Sequence, residues 1–150
     1  MVMAVRIHQT GGPEVMQLED VPLEEPGPGM VRVSNKAIGL NYIDTYHRSG
    51  LYPLPLPIGL GLEAAGEVEA VGEGADLQVG DRVAYCSAGF GAYSCAINLP
   101  AERLVKVPDA LSFEQAAASL LKGQTAEYLI QRTFPLKAGD TCLYHAAAGG

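Results

Sequence analysis

Glycine and proline interrupt the first hundred residues so often that the chain has room there only for short strands joined by turns. Val2–His8 alternates apolar and polar residues with the two-residue period of a half-buried strand. Gly11-Gly12-Pro13 turns the chain, and Val15–Val21 reads as the second strand of a hairpin. Pro22 to Gly29 carries three prolines and two glycines, which forces an irregular connection. Met30–Leu40 resumes as a strand with Val31, Val33, Asn35, Ala37 and Gly39 on one face. Glu63–Gly72 follows, with small residues at its start where another backbone packs closely. Val79–Tyr85, Gly91–Ile97 and Arg103–Pro108 read as three more strands. Short strands with turns at this spacing predict a partly open β-barrel.

The pattern changes at Pro108. Ser112 followed by Gln115 fits a capping box, and the Ala-rich run from Phe113 to Leu121 predicts a helix ended by Gly123. Thr125–Thr133 predicts a second helix with Ala126, Leu129 and Ile130 on one face, stopped by Pro135. Thr141–His145 reads as a short buried strand running into Ala146-Ala147-Ala148-Gly149-Gly150. An apolar strand feeding small residues and glycines is how a nucleotide-binding turn begins, because bulkless residues let the backbone approach a pyrophosphate. The same pair of glycines also suits a plain tight turn. On the first reading the chain stops inside a cofactor site.

Composition narrows the function classes. With 48% hydrophobic residues over 150 positions the chain can bury one core. A net charge of −7 disfavours nucleic-acid binding as the main role, since that rests on clustered Lys and Arg. No apolar run reaches the roughly 18 residues that span a bilayer, and Met1–Arg6 does not resemble a secretory leader, so a cytoplasmic location is expected. Cys86, Cys95 and Cys142 lack CxxC spacing and are odd in number, which predicts reduced core thiols rather than a disulfide or a zinc site.

Five segments carry a resemblance. Gly39–Pro53, Gly61–Gly66, Val79–Val83, Ser112–Ala118 and His145–Gly150 resemble, in order, NADPH:quinone oxidoreductases of the zeta-crystallin type, in the medium-chain dehydrogenase/reductase superfamily. The resemblance implies a mixed α/β architecture: a GroES-like catalytic domain over residues 1–123, then the truncated start of a doubly wound Rossmann domain over 124–150. It implies NADPH as cofactor, a small-molecule quinone as substrate, hydride or single-electron transfer, and a homodimer when full-length. Zinc-dependent relatives carry Gly-Cys-Gly-Thr-Asp and Gly-His-Glu where this chain has Gly39-Leu40-Asn41-Tyr42-Ile43 and Gly61-Leu62-Glu63. Thiolate and imidazole are both gone, so no metal is expected. A quinone tolerates that loss because it is already electrophilic, and positioning then does most of the work. Two alternatives are a zinc-free reductase of enone or enal double bonds and a non-catalytic binding fragment.

The resemblance assigns catalytic roles to Asn41, Tyr46 and Tyr52, and cofactor contacts to Tyr42, Ile43, Asp44, Thr45, Tyr46, Lys122, Thr125, Tyr128, Gly149 and Gly150. By chemistry alone, Asn41 either donates to a substrate carbonyl, orients a water, or caps the short helix that follows. Tyr42 and Ile43 read as packing residues, Asp44 as a solvated or helix-starting acid, and Tyr52 as a turn-packing ring before Pro53. Lys122 reads as a surface lysine, Thr125 as a helix cap and Tyr128 as interface packing. Leu54–Ile58 offers an apolar rim for aromatic rings. Glu63, among very small residues, predicts a structural pair with Arg or Lys. His8, His47 and His145 stand isolated and are not assigned as general bases, and His145 is placed in the terminal strand.

Overall fold

A computed structural model describes residues 1–147. In chain order the regular elements are β1 (Val2–Ile7), β2 (Met16–Val21), β3 (Met30–Gly39), α1 (Tyr42–Ser49), β4 (Ile58–Gly59), β5 (Glu63–Val71), β6 (Arg82–Cys86), β7 (Ala96–Pro100), β8 (Val105–Lys106) and α2 (Phe113–Glu127). Strands β2, β1 and β4 form one antiparallel sheet, and a second has the order β7-β3-β5-β6-β8. The hairpin register sets Val2 opposite Val21 and Ile7 opposite Met16. The sheets are stitched by a bridge between Ala4 and Ser94, flanked by hydrogen bonds from Val5 N–H to Tyr93 O (2.7 Å) and from Cys95 N–H to Met3 O (2.9 Å). The result is the expected partly open barrel.

Alternation explains its layers. Along β5 and β6, Ala64, Val68, Val83 and Tyr85 point into the barrel with Val31, Val33 and Leu99, whereas Ala65 and Ala84 point out toward α2. There they meet Ala116, Ala117 and Val107 in a second cluster built almost wholly of alanine-sized residues, so helix and sheet approach closely. Close approach also explains Gly66, where an added Cβ would lie 2.0 Å from the Ser34 carbonyl oxygen on the paired strand. The fully buried Tyr85 satisfies its hydroxyl by donating to Asn35 Oδ1 at 3.1 Å, and burial raises its pKa well above the ordinary 10.0. Among the described residues, no helix is long and apolar enough to cross a membrane.

Several expected boundaries move. Pro13–Val15 forms a 3₁₀ turn that buries Val15 against Ile7 and Leu60, so β2 starts one residue later. The stretch expected as a strand from Gly91 becomes one only at Ala96. Before that, Gly91 and Ala92 both donate to the Gly61 carbonyl in a tight turn, and the strand then continues to Pro100. Of Arg103–Pro108, only Val105–Lys106 is a strand, extended by one bond from the Val107 N–H to Arg82 O at 2.8 Å, because Ala101–Arg103 coils into a 3₁₀ turn.

Helix α2 runs through Gly123 without a break and passes into a π-helical stretch at Tyr128–Thr133, so the two predicted helices are one. Nothing lies within 4 Å of a Cβ added at Gly123, and a lone helical glycine costs only about 1 kcal/mol relative to alanine. Leu129 and Ile130 are exposed rather than packed. Thr141–Tyr144 is irregular and exposed, and His145 sits in an exposed turn, against the expectation of a buried strand. A strand requires a hydrogen-bonded neighbour, and no described strand pairs with this segment. The cysteines are free as expected, yet Cys95 and Cys142 are exposed and Cys86 is half-buried, so none belongs to the core.

Candidate functional site

The end of β3, the start of β5 and the middle of α2 converge on one buried carboxylate. Register places Glu63 beside Gly39 on one side and Cys86 on the other. Gly39 is required there: an added Cβ would lie 2.4 Å from the Ala117 carbonyl oxygen on α2 and 2.6 Å from Glu63 Oε2. Two residues beyond Gly39 the chain leaves the strand at Asn41, whose extended backbone (φ −125°, ψ 146°) precedes α1. Asp44 Oδ2 accepts from the Asn41 backbone N–H at 3.0 Å, which anchors the first turn of that helix.

Glu63 is fully buried, and each oxygen has a donor. Asn41 Nδ2 donates to Oε2 at 2.8 Å, and the Leu121 backbone N–H of α2 donates to Oε1 at 2.6 Å. The expected arginine or lysine partner is replaced by an amide and a main-chain group, because the small residues beside Glu63 bring the α2 backbone itself within reach. Lys122 instead donates from Nζ to Asn41 Oδ1 at 3.2 Å, extending the chain of contacts to the surface. On the other side, Cys86 Sγ donates to Gln124 Oε1 at 2.9 Å. Burial, and then the nearby Glu63 charge, push the Cys86 thiol pKa above its ordinary 9.0.

From Asn41 a row of aromatic rings runs along α1. Tyr42 meets Tyr46 edge to face at 5.3 Å, Tyr46 meets Tyr52 at 5.3 Å, and Tyr52 leads to His47, whose ring stands at 90° to Phe90 at 5.1 Å. Tyr42 is 75% and Tyr52 50% exposed and Tyr46 is half-buried, so the group presents aromatic faces and edges to solvent. Tyr52 also packs the turn as its sequence context predicts, its N–H donating to the Tyr46 carbonyl at 3.2 Å. Asp44 is not solvated: it is buried, and its Oδ2 accepts from the Tyr93 hydroxyl at 2.7 Å. Burial and that carboxylate together raise the Tyr93 pKa far above its ordinary 10.0.

Asn41 and Lys122 are thus brought together, and Tyr42, Tyr46 and Tyr52 form a second group along the helix that follows Asn41. Ile43 and Thr45 are half-buried on α1, with Thr45 Oγ1 donating to the Tyr42 carbonyl at 2.7 Å. Thr125 is exposed one turn beyond Lys122 and donates back to the Leu121 carbonyl at 3.1 Å, and Tyr128 is exposed beyond it. Gly149 and Gly150 lie outside the described residues. The sequence reading missed Gln124, Phe90 and Tyr93, for which no motif speaks, and it underrated Glu63. The Glu-Ala-Ala-Gly run was the available signal, since a carboxylate beside residues that small is within reach of a neighbouring backbone. Among the described residues, no group of three or more His, Cys, Asp or Glu side chains is placed to share a metal ion. The site thus offers a lysine ammonium on the Asn41 carboxamide and partly exposed tyrosine rings on the helix that follows it.

Residues 27–109 match the alcohol dehydrogenase GroES-like domain family. A quinone oxidoreductase of Pseudomonas aeruginosa is 57% identical over 152 residues, covering 100% of this chain and 47% of that protein. The 2-haloacrylate reductase of a Burkholderia species is 50% identical over 158 residues, covering 100% of this chain and 47% of its own length. The crystal structure of Escherichia coli quinone oxidoreductase complexed with NADPH superposes with a TM-score of 0.88 at 50% identity, covering 90% of this chain and 42% of that one. The chain therefore spans about half the length of the relatives it matches. Family match and barrel agree: the chain belongs to the alcohol dehydrogenase GroES-like domain family.

Proposed function

We propose that this chain is the substrate-binding half of an NADPH-dependent quinone reductase that works without a metal. The observation that carries the reading is the tyrosine cluster that follows Asn41, in which the exposed Tyr42 and Tyr52 flank the half-buried Tyr46 edge to face and offer aromatic surface to a planar ring, next in sequence to a hydrogen-bonding pair. The two positions where zinc relatives carry thiolate and imidazole hold Leu40, 80% exposed, and the buried Leu62, neither of which is a ligand.

The residues suit the cofactor. The Lys122 ammonium, the accepting Asn41 Oδ1, the Thr125 hydroxyl and the exposed rings of Tyr42 and Tyr128 offer charge, hydrogen bonding and flat surface to an anionic, planar ligand. When bound, NADPH supplies a hydride, and one proton from water or the Tyr46 hydroxyl completes the two-electron reduction of quinone to hydroquinone. Asn41 and Lys122 order the polar groups of the site, and the tyrosines align the ring and exclude water from its face. The division near residue 123 and the homodimer of the whole protein belong to the same reading and are drawn from the resemblance, and the cytoplasmic location is the expectation drawn from the sequence.

Oxidation of NADPH and NADH against 1,4-benzoquinone and 9,10-phenanthrenequinone, by this chain and by the full-length gene product, tests the proposal. Quinone turnover by the full-length protein, with NADPH preferred, supports it; no turnover with either quinone refutes it. The 50% identity to a 2-haloacrylate reductase favours a second reading, reduction of an activated carbon–carbon double bond. Turnover of 2-chloroacrylate but not of quinones would establish that reading instead.

A further inference from the structure

We propose that Glu63 is a positioning residue that fixes the Asn41 carboxamide with its oxygen outward, so that Lys122, rather than the Asn41 amide nitrogen, is the donor this site offers to a substrate carbonyl. The inference rests on the carbonyl-reducing function proposed above and assigns its polar groups.

A carboxylate only accepts hydrogen bonds, so the Asn41 atom 2.8 Å from Glu63 Oε2 is the NH₂ nitrogen. The Asn41 oxygen must then face the other way, where Lys122 Nζ, which only donates, stands at 3.2 Å. Acceptor on one side and donor on the other fix the same amide orientation. The second oxygen of Glu63 receives the Leu121 N–H at 2.6 Å, which pins the helix at the residue before Lys122. One buried side chain therefore sets both the amide and the backbone from which the lysine extends. An ammonium has three N–H donors, and the bond to Asn41 uses one. A positive charge held on the Asn41 carboxamide, at the head of the tyrosine-bearing helix, suits a ring oxygen on which negative charge develops as electrons arrive, and a neutral amide is the weaker donor for that purpose.

The test uses the full-length gene product with NADPH and 1,4-benzoquinone. Lys122→Met is expected to lower kcat about 10- to 100-fold with little change in the quinone KM, the signature of an interaction made in the transition state. Lys122→Arg should recover part of that loss. Glu63→Gln should lower kcat in the wild-type background and cause no further loss in the Lys122→Met background, because it acts through the lysine. A second readout needs no turnover: burial chiefly holds the Cys86 thiol protonated and the Glu63 charge adds to it, so Glu63→Gln should modestly speed alkylation of Cys86 by iodoacetamide at about pH 8. Wild-type kcat in Lys122→Met, multiplicative losses in the double variant, or an unchanged Cys86 rate in Glu63→Gln would each overturn the proposal. Absence of quinone turnover in the wild-type protein would overturn the functional reading on which it rests, with the Cys86 rate still deciding whether Glu63 carries the charge assigned to it.

Discussion

Gly39→Ala tests how closely β3 and α2 must approach for the site to exist. The new methyl carbon would sit 2.4 Å from the Ala117 carbonyl oxygen and 2.6 Å from Glu63 Oε2. A close C···O contact is about 3.3 Å, so the helix must withdraw by about 1 Å. The nearer obstacle is the Ala117 backbone carbonyl, which cannot rotate away, and the Glu63 carboxylate behind it is held by its own hydrogen bonds, so the helix itself must move. Overpacking of this kind costs about 1–3 kcal/mol. In urea the midpoint should fall by the corresponding amount with the slope unchanged. Gly27→Ala is the matched control: Gly27 is exposed with nothing within 4 Å of its added Cβ, and its φ lies outside the left-handed region. That variant should stay within about 0.5 kcal/mol of the parent. A Gly39→Ala midpoint equal to the parent's, or a Gly27→Ala loss as large, would refute the argument that contact at this point sets the helix.

Three further outcomes follow from single contacts. Ser112 Oγ accepts from the Gln115 N–H at 3.2 Å while Gln115 Oε1 accepts from the Ser112 N–H at 2.9 Å, so Ser112→Ala should cost about 1 kcal/mol, read as a lower thermal midpoint. Asp81 accepts from Lys106 Nζ at 2.9 Å and from the Gln78 N–H at 2.9 Å, and the first of these chiefly holds its pKa below the ordinary 3.8. A depressed folded-state pKa gives stability that is present above the unfolded value and lost as pH falls through the folded one. Asp81→Asn should therefore be less stable than the parent near neutral pH, with the two converging in urea titrations below about pH 4. Tyr46→Phe in the full-length protein should lower kcat/KM for quinone about 10- to 100-fold if its hydroxyl serves the reaction, and unchanged kinetics would leave Tyr46 as a packing ring alone.

The barrel was legible because its signals are local: alternation in Val2–Ile7 and Met30–Gly39, and turn residues between them, state the strand period without reference to the rest of the fold. The capping box at Ser112 was legible for the same reason. Elements that failed depend on distant partners. Thr141–Tyr144 has the composition of a strand and no described strand beside it, so composition alone did not make it one. Gly123 reads as a break only if helix continuity is judged from propensity. A cost of about 1 kcal/mol is small beside the anchoring of the same helix by the Leu121 N–H on Glu63.

The same distinction separates the site residues. Asn41 and Tyr46 lie in one continuous motif, and short-range spacing was enough to single them out. The contact that orients Asn41 spans 22 residues to Glu63, and the next spans 81 residues to Lys122. No window along the sequence contains both, and the natural expectation for a buried acid is a cation, because charge pairing is the common way to offset desolvation. The protein meets that cost differently: an amide and a main-chain N–H satisfy the carboxylate, and the cation is displaced one step outward onto Asn41 Oδ1. That displacement has a functional consequence. A lysine paired directly with Glu63 would be drawn down to a side chain that is fully buried, whereas a lysine held through an intervening amide stays at the surface, where a substrate can reach it.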